Sequence, residues 1–305
     1  LTGFNSRKGG FFLTPCGRVQ TPTLSLLVKR ERTRLAFVPQ PFWTLTATFG
    51  FDDSTYTGRW IDPKFTKDLE DPSKRADRLW KVEDADAIAG KCLGKTAAVN
   101  EQSKKTTQNS PQLYDLTLLQ REANSRFGFS AKNTLGIAQA LYERHKVLTY
   151  PRTDSKHLPE DYIGTVKKTL KKQTGWQLGK FAQEALDRNY VRPNKRIFNS
   201  DKISDHHAII PTSILPQNLS EPEAKIYLMV VQRFLAVFFP AAVFLNTRRF
   251  SVVEEETFLT EGRILLEAGW KAVYGSAQGT GKDKILEPVP SGAEVFCRDI
   301  ERENH

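Results

Sequence analysis

Alternating apolar and polar side chains mark a β-strand near the start of the chain. In FWTLTATFGF, residues 42–51, threonines fill one face and the other face carries five apolar residues: Trp43, Leu45, Ala47, Phe49 and Phe51. A two-residue period is typical of a strand with one buried face, because successive side chains point to opposite sides of a sheet. The pattern therefore predicts a half-buried strand over this segment.

Helical patterns precede this strand and resume after residue 115. LTLLQREANSRFG (116–128) ends on Gly128, a natural helix stop, and SAKNTLGIAQALYERHK (130–146) opens on a serine cap. SEPEAKIYLMVVQRFLAVFF (220–239) has a Ser-x-x-Glu capping box followed by one apolar stripe. GRVQTPTLSLLVKRE (17–31) is predicted to be a loop that enters a helix.

The order of the elements predicts an α+β chain in which a helical domain is inserted into a β domain. VFLNTRRFSVVEEETFLTEGRILLEAGW (243–270) returns to strand character after the helices, and VLTY (147–150) is predicted to be a short strand. The polar, turn-rich NEQSKKTTQNSPQ (100–112) is predicted to be a linker. GSAQGTGKDK (275–284) is predicted to be a flexible loop, because it lacks the spacing of a phosphate-binding loop.

Composition and charge narrow the class of partner. The 305 residues carry a net charge of +10, which favours a polyanion, nucleic acid before an acidic membrane. No apolar stretch approaches the roughly 20 residues that a membrane span needs. Cys16, Cys92 and Cys297 are far apart, which fits a reducing compartment and argues against a zinc ribbon. Leu1 is not an initiator residue, so we expect the chain to be a fragment or a processed product.

The segment LTYPRTDSKH (148–157) places Tyr150 two residues before Arg152. A phenol has a pKa of about 10, so a nucleophilic tyrosine needs positive charge nearby. In an extended segment both side chains share a face, and the guanidinium can stabilise a phenolate and bind a phosphate. Taken alone, the two residues fit a structural tyrosine beside a solvated arginine better, since most tyrosines are structural.

SDHHAIIPT (204–212) contains the adjacent pair His206 and His207. Neighbours in an extended segment point to opposite faces, so the two imidazoles cannot easily share one metal ion. A single imidazole suits a proton shuttle or a hydrogen bond to phosphate. A loop histidine whose ring is satisfied by backbone groups is the alternative.

Basic side chains are spread over several predicted helices. Arg18 and Gln20 flank Val19, LQREANSRF contains Arg121, and VKKTLKKQ (166–173) contains four lysines. Such side chains can bind phosphates without recognising sequence. For the lysine run, a solvated helix face is at least as consistent with the pattern.

Four segments, in this order and spacing, closely resemble the type IA DNA topoisomerases, and the topoisomerase III branch in particular: GRVQTPTL, LYDLTLLQREANSRFGFSAKNTLGIAQALYE, LTYPRTDS and DHHAIIPT. GWKAVYG (269–275) looks like the closing strand of that family's arch domain. The resemblance covers most of the chain, and TYPRTDS is a specific signal. It outweighs the structural alternatives for Tyr150, Arg152 and His206.

The resemblance implies a toroidal enzyme that cuts one DNA strand, passes another through the gap and reseals the break without ATP. Tyr150 would attack a backbone phosphate, forming a 5′-phosphotyrosine bond and releasing a 3′-hydroxyl. Arg152 would position the scissile phosphate and stabilise charge that develops on it, and His206 matches the family's active-region histidine. The resemblance also implies a set of DNA-binding residues: Arg18, Gln20, Arg121, Thr153, Asp154, Ser155 and His207.

On the family plan, the chain is a multidomain α+β core fragment of the toroid. Residues 1–35 are expected to belong to the helical base domain that holds the single-strand groove. Residues 36–108 and 241–275 are expected to form the β-rich arch, and 109–240 the inserted tyrosine domain. Residues 276–305 are expected to begin the return to the base domain.

The resemblance also sets expectations for cofactors and partners. The family's N-terminal Toprim domain carries the acidic cluster that binds Mg²⁺, and no segment resembles it; EDADA (83–87) lacks the glycine-rich context. We therefore expect the Mg²⁺ ligands to lie outside this chain, with no metal site and no zinc within it. The expected partners are DNA that is single-stranded at the cleavage site and a helicase or single-strand-binding protein, with no membrane. We expect a monomer in the bacterial cytoplasm, associated with the nucleoid.

Two other functions are open at this point. A basic module could bind single strands without catalysis, with Tyr150 stacking on bases. A tyrosine recombinase or a replication-initiator nuclease would also use covalent chemistry. The recombinase would need a distributed Arg/His set around a C-terminal tyrosine, and the nuclease a metal-binding histidine cluster. Neither pattern is visible.

We expect the 305-residue chain alone to bind single-stranded DNA weakly and not to relax supercoiled plasmid, because the Mg²⁺ ligands are expected elsewhere. Gel-shift titration with a labelled oligonucleotide and plasmid relaxation with and without Mg²⁺ measure the two properties. Strong magnesium-dependent relaxation by this polypeptide would contradict the expectation.

Overall fold

The computed structural model describes residues 7, 9–10, 17–275, 286–290 and 292–305. These described residues form six strands: β1 Trp43–Phe51, β2 Ser54–Ile61, β3 Thr96–Gln108, β4 Ala242–Val253, β5 Glu256–Glu267 and β6 Val295–Asn304. They also form seven α-helices: α1 Gln20–Leu35, α2 Val82–Cys92, α3 Leu116–Phe127, α4 Ala131–Glu143, α5 Ile163–Gln173, α6 Gly179–Asp187 and α7 Glu221–Ala236. The same part of the chain has three short 3₁₀ helices: Glu160–Tyr162, Ser200–Lys202 and Gly269–Tyr274.

The strands form a closed antiparallel barrel in the order β1-β2-β5-β4-β3-β6. Its core includes Leu45, Ala47 and Phe49 of β1, all fully buried, together with Phe258 of β5. The predicted half-buried strand is therefore confirmed. The fold class, α+β, is confirmed as well.

The C-terminal strand differs from the sequence prediction, in which residues 276–305 begin a return to the base domain. Val295–Asn304 is instead β6, which pairs with β1 along most of its length and with the start of β3. Val295 and Cys297 of this strand are buried in the barrel core. The barrel closes only with β6, because without it the neighbouring edges of β1 and β3 would lack a partner. The predicted loop at 275–284 lies, apart from Gly275, outside the described residues.

Two further predictions for the β domain are wrong. Residues 100–108 of the predicted linker belong to β3, which pairs with β4 from Ala98 to Gln108. The side chains of residues 100–108 are polar and mostly exposed, so this part of β3 shows no alternation of apolar and polar residues. GWKAVYG, expected to be a closing strand, contains the 3₁₀ helix Gly269–Tyr274.

The helical domain is inserted between β3 and β4, as the order of patterns predicted. Its chain enters after Gln108 and leaves at Ala242, and these two residues are direct partners in the β3–β4 register. Adjacent antiparallel strands thus hold both ends of the insertion. The domain has its own core, in which Ile226, Val230 and Phe234 of α7 are fully buried.

The predicted helix signals are confirmed. Gly128 ends α3 in the left-handed conformation, with φ 71°. Ser130 caps α4 by accepting a hydrogen bond from the Asn133 N–H at 3.1 Å. Ser220 and Glu223 form the capping box of α7. These local interactions satisfy backbone groups that a helix end would otherwise leave unpaired.

A buried arginine joins several segments around the core of the helical domain. The Arg233 side chain on α7 is only 5% exposed, and its Nη1 donates to the Gln112 carbonyl at 3.0 Å. Its Nε donates to the Tyr274 hydroxyl at 3.0 Å, its Nη2 donates to the Tyr114 hydroxyl at 3.1 Å, and it also pairs with Glu122. Burial raises the pKa of both tyrosines, so their hydroxyls stay neutral. One guanidinium thus links the entry segment, α3, α7 and the segment after β5.

The first helix differs from the others, because α1 buries none of its side chains. It exposes several large apolar residues: Leu24, Leu26, Leu27, Val28 and Leu35. Its assignment to a base domain stays a prediction. Within the part of the chain that the structure describes, no helix is long and apolar enough to cross a membrane.

Replacing Arg233 with Met should lower the free energy of unfolding of the helical domain by about 3 kcal/mol, because Glu122 and two tyrosine hydroxyls would lose their shared partner. Urea denaturation followed by circular dichroism measures the loss. Arg188→Met, at an exposed position, is the matched control and should change the value by less than about 0.5 kcal/mol. Equal effects of the two substitutions would contradict the role given to Arg233.

Candidate active site

Tyr150 lies on a loop that is fixed against the segment 204–212. Leu148 and Pro211 form an isolated antiparallel bridge, and the Thr149 N–H donates to the Ile210 carbonyl at 3.0 Å. The Ile210 N–H in turn donates to Thr149 Oγ1 at 2.9 Å. The predicted strand over 147–150 is thus a single bridge rather than a ladder. It brings the tyrosine segment and the histidine segment together.

The Tyr150 ring is half-buried between two other rings. The Tyr142 ring meets it edge to face, with centroids 5.4 Å apart, and the His206 ring lies 4.4 Å away on a tilted plane. Contacts of this kind restrict a ring while leaving one end accessible. Among the described residues, none forms a hydrogen bond with the Tyr150 hydroxyl.

Arg152 is exposed, and the proline between it and Tyr150 is buried. Within the described part of the chain, no carboxylate forms an ion pair with Arg152. The guanidinium is therefore available to an anion from outside. Its five donors suit a phosphate.

Thr153 and Ser155 point inward, and their assignment as DNA contacts stays a prediction. Both are buried, and their hydroxyls donate to the carbonyls of His206, at 2.7 Å, and Lys202, at 2.9 Å. The same two oxygens accept backbone N–H groups of the tyrosine loop. The two hydroxyls hold the tyrosine and histidine segments together. Asp154 between them is exposed and accepts a hydrogen bond from Ser204 at 3.1 Å.

The two histidines take opposite sides of their segment, as predicted for neighbours in an extended chain. His206 is exposed and contacts the Tyr150 ring. His207 is half-buried, its ring lies 4.8 Å from that of Tyr162, and its Nδ1–H donates to the Ala208 carbonyl at 2.8 Å. Burial lowers the pKa of His207, and the neighbouring His206 charge contributes in the same direction. His207 therefore holds its loop from the inside rather than facing DNA.

The three other residues predicted to bind DNA are exposed, and none of them contacts Tyr150 among the described residues. Arg18 and Gln20 lie at the start of α1, and Arg121 lies on α3. No hydrogen bond or ring contact among the described residues joins any of them to the tyrosine. The start of α3 does touch the tyrosine loop, because the Leu116 N–H donates to the Thr153 carbonyl at 3.0 Å.

Sequence reasoning missed the contacts that support the site. Tyr142 lies in the last turn of α4, and Tyr150 follows eight residues later on a loop, so no single periodicity relates the two. His157 is buried behind the loop, where burial, followed by the charges of Lys202 and Lys156, lowers its pKa. The signal available in the sequence was the histidine at the end of LTYPRTDSKH, seven residues after Tyr150.

The described residues do not supply a metal centre. Among them, no three His, Cys, Asp or Glu side chains cluster in a way that could hold an ion. Cys92 and Cys297 are buried, and burial raises the pKa of each thiol to about 11, so neither is a ready ligand.

A family model described as DNA topoisomerase matches residues 2–305. The chain belongs to the DNA topoisomerase family. DNA topoisomerase 3 of Bacillus licheniformis and that of Bacillus subtilis are each 40% identical to it, over 295 and 296 residues. Each match covers 93% of this chain and 38% of the relative, so the chain spans well under half of these topoisomerases.

The full-length topoisomerase I of Thermotoga maritima has a similar structure, with a TM-score of 0.61. The match covers 95% of this chain and 44% of that topoisomerase, at 22% sequence identity, and it establishes the shared fold. Together with the family match, it confirms the resemblance to type IA topoisomerases that TYPRTDS and the flanking segments indicated.

Lowering the pH should destabilise the helical domain of this topoisomerase chain through buried His157 and half-buried His207. The pKa of His157 and of His207 is lower in the folded chain than in the unfolded chain, so the unfolded chain binds more protons as the pH falls below about 6.5. Stability is thus complete above that pH and is lost as the pH drops towards the folded-state values.

Urea denaturation at a pH of about 7.5 and about 5.5 measures this loss. His157→Gln should reduce the difference between the two conditions, whereas His305→Gln, at an exposed position, should not. A pH dependence that is the same in all three proteins would contradict the assignment.

Proposed function

We propose that this chain is the strand-cutting gate and the arch of a type IA DNA topoisomerase. The observation that carries the proposal is the 4.4 Å contact between the Tyr150 and His206 rings, which joins the two motif segments at one accessible point. The exposed guanidinium of Arg152 lies two residues further along the same loop. A nucleophile, a cation and an imidazole on a rigid surface suit an attack on a DNA phosphate.

Tyr150 supplies the nucleophilic oxygen. Its bond to the backbone phosphorus forms while the bond from phosphorus to the 3′ oxygen breaks. The phenol proton leaves, and the released 3′ oxygen gains a proton. A 5′-phosphotyrosine results, and attack by the 3′-hydroxyl reverses the step, so that no ATP is required.

Arg152 and His206 act on the phosphate. The guanidinium positions the scissile group and stabilises the charge on its oxygens as the attacking bond forms. The exposed imidazole of His206, packed against the nucleophile's ring, donates a hydrogen bond to the same strand. Thr153, Ser155 and His207 position these groups from beneath, which their buried contacts support.

The wider DNA surface and the partners follow the family plan. Exposed Arg18, Gln20 and Arg121 bind the single strand away from the cleavage point, and exposed Asp154 borders it. Magnesium is held by residues outside this chain, and the complete enzyme is a toroid. It works as a monomer on DNA in the bacterial cytoplasm, at the nucleoid, with a helicase or single-strand-binding protein as partner.

A non-catalytic single-strand-binding module is the second candidate. The half-exposed Tyr150 ring beside an exposed histidine is also the arrangement on which bases can stack. The two functions differ in whether the tyrosine hydroxyl is needed, and one substitution distinguishes them.

Tyr150→Phe in the full-length topoisomerase should abolish the covalent adduct with a labelled oligonucleotide and leave binding nearly unchanged, because only the attacking oxygen is removed. Denaturing electrophoresis detects the adduct, and the position of the label identifies the linked end. Tyr142→Phe is the matched control, since it keeps the ring contact and should keep the adduct. An adduct that persists in Tyr150→Phe would reject Tyr150 as the nucleophile.

A further inference from the structure

Lys146 has an unusual backbone conformation beside the candidate active site. Its φ of 58° lies in the left-handed region, which a side chain other than Gly or Asn rarely adopts. The residue follows the end of α4, where glycine is the common choice for this conformation. A lysine is therefore present at a position that favours glycine.

The backbone of Lys146 is fixed by the histidine segment. Thr212 Oγ1 donates to the Lys146 carbonyl at 2.7 Å, and the Thr212 N–H donates to the Val147 carbonyl at 2.9 Å. The Val147 N–H closes the helix end by donating to the Leu141 carbonyl at 2.9 Å. The segment that carries His206 thus also sets the direction of the Lys146 side chain.

The ammonium group of Lys146 contacts the ring next to Tyr150. Its Nζ lies 5.7 Å from the centroid of the Tyr142 ring, and that ring is the one that meets Tyr150 edge to face. The neighbouring basic side chains Arg144 and His145 both bond to Glu223, whereas no carboxylate in the described part of the chain pairs with Lys146. An exposed ammonium without a carboxylate partner thus contacts Tyr142, and the rings of Tyr142 and His206 both contact that of the nucleophile.

We propose that Lys146 binds a backbone phosphate of the DNA strand next to the phosphate that Tyr150 attacks. The inference rests on the proposed function, because it takes single-stranded DNA as the ligand. A flexible ammonium is suited to a neighbouring phosphate, since it acts as a point charge and needs no fixed geometry. The left-handed backbone, held by Thr212, places this charge against the Tyr142 ring, next to the proposed path of the strand.

A structural role is the competing explanation. A lysine after the end of a helix interacts favourably with the negative end of the helix dipole. That role predicts an effect on stability and none on the salt dependence of DNA binding. A phosphate contact predicts the reverse, because each contact with a single strand releases counterions.

The test uses the 305-residue chain and a fluorescent single-stranded oligonucleotide, with affinity measured by anisotropy over a series of salt concentrations. Lys146→Gly should reduce the slope of log K against log salt by about 0.7, the value of one phosphate contact. Lys146→Arg should keep the slope. Lys172→Ala, which removes a lysine at the end of α5, is the matched control and should keep the slope as well.

Thermal unfolding of the same variants separates charge from backbone strain. Lys146→Gly should match or exceed the wild-type melting temperature, because glycine adopts the left-handed conformation freely. An unchanged salt slope in Lys146→Gly, with wild-type binding intact, overturns the inference alone. A wild-type chain that binds no oligonucleotide overturns the proposed function and the inference with it.

Discussion

The packing of the helical domain depends on one buried cation, Arg233. Removing the Arg233 guanidinium from water is costly, and the cost is offset only when most of its donors find partners. Those partners come from the segment that enters the helical domain, from α3 and from the segment that follows β5. The arginine is therefore satisfied only when all of these parts are in place, which couples the packing of α7 to that of the entry segment, α3 and the segment after β5.

The candidate site depends on two small hydroxyl groups that each form two hydrogen bonds. Thr153 and Ser155 each use one hydroxyl both to accept an N–H group of their own loop and to donate to the histidine segment. This arrangement leaves Tyr150, Arg152 and His206 at the surface without a strand ladder to hold them. The three candidate side chains thus lie on a loop without regular secondary structure, and the hydrogen bonds of Thr153 and Ser155 hold that loop in place.

Features with a local cause could be predicted from the sequence, and features with a distant cause could not. The alternation in β1 and the caps of α3, α4 and α7 each depend on residues within a few positions of one another. The polar half of β3 gave no such signal, because its pairing with β4 compensates for the absence of a buried face. Tyr150 was recognisable from its motif, whereas the inward direction of Thr153 and Ser155 depends on carbonyls about fifty residues away. The position of β6 in the barrel could not be predicted either, because it depends on pairing with β1 and β3, which are distant in the sequence.

The register match of Gln108 with Ala242 has a mechanical consequence. A pull on the helical domain is transmitted to β3 and β4 together, along their own axes. The hydrogen bonds of an antiparallel ladder run perpendicular to the strands. A load along the strands therefore acts on all the hydrogen bonds between β4 and β5 at the same time, and these bonds do not break one after another. The attachment is thus stiff when it is pulled along the strands. The helical domain is displaced by bending of β3 and β4 near residues 100–108, where β3 is mostly exposed, and not by breaking their hydrogen bonds.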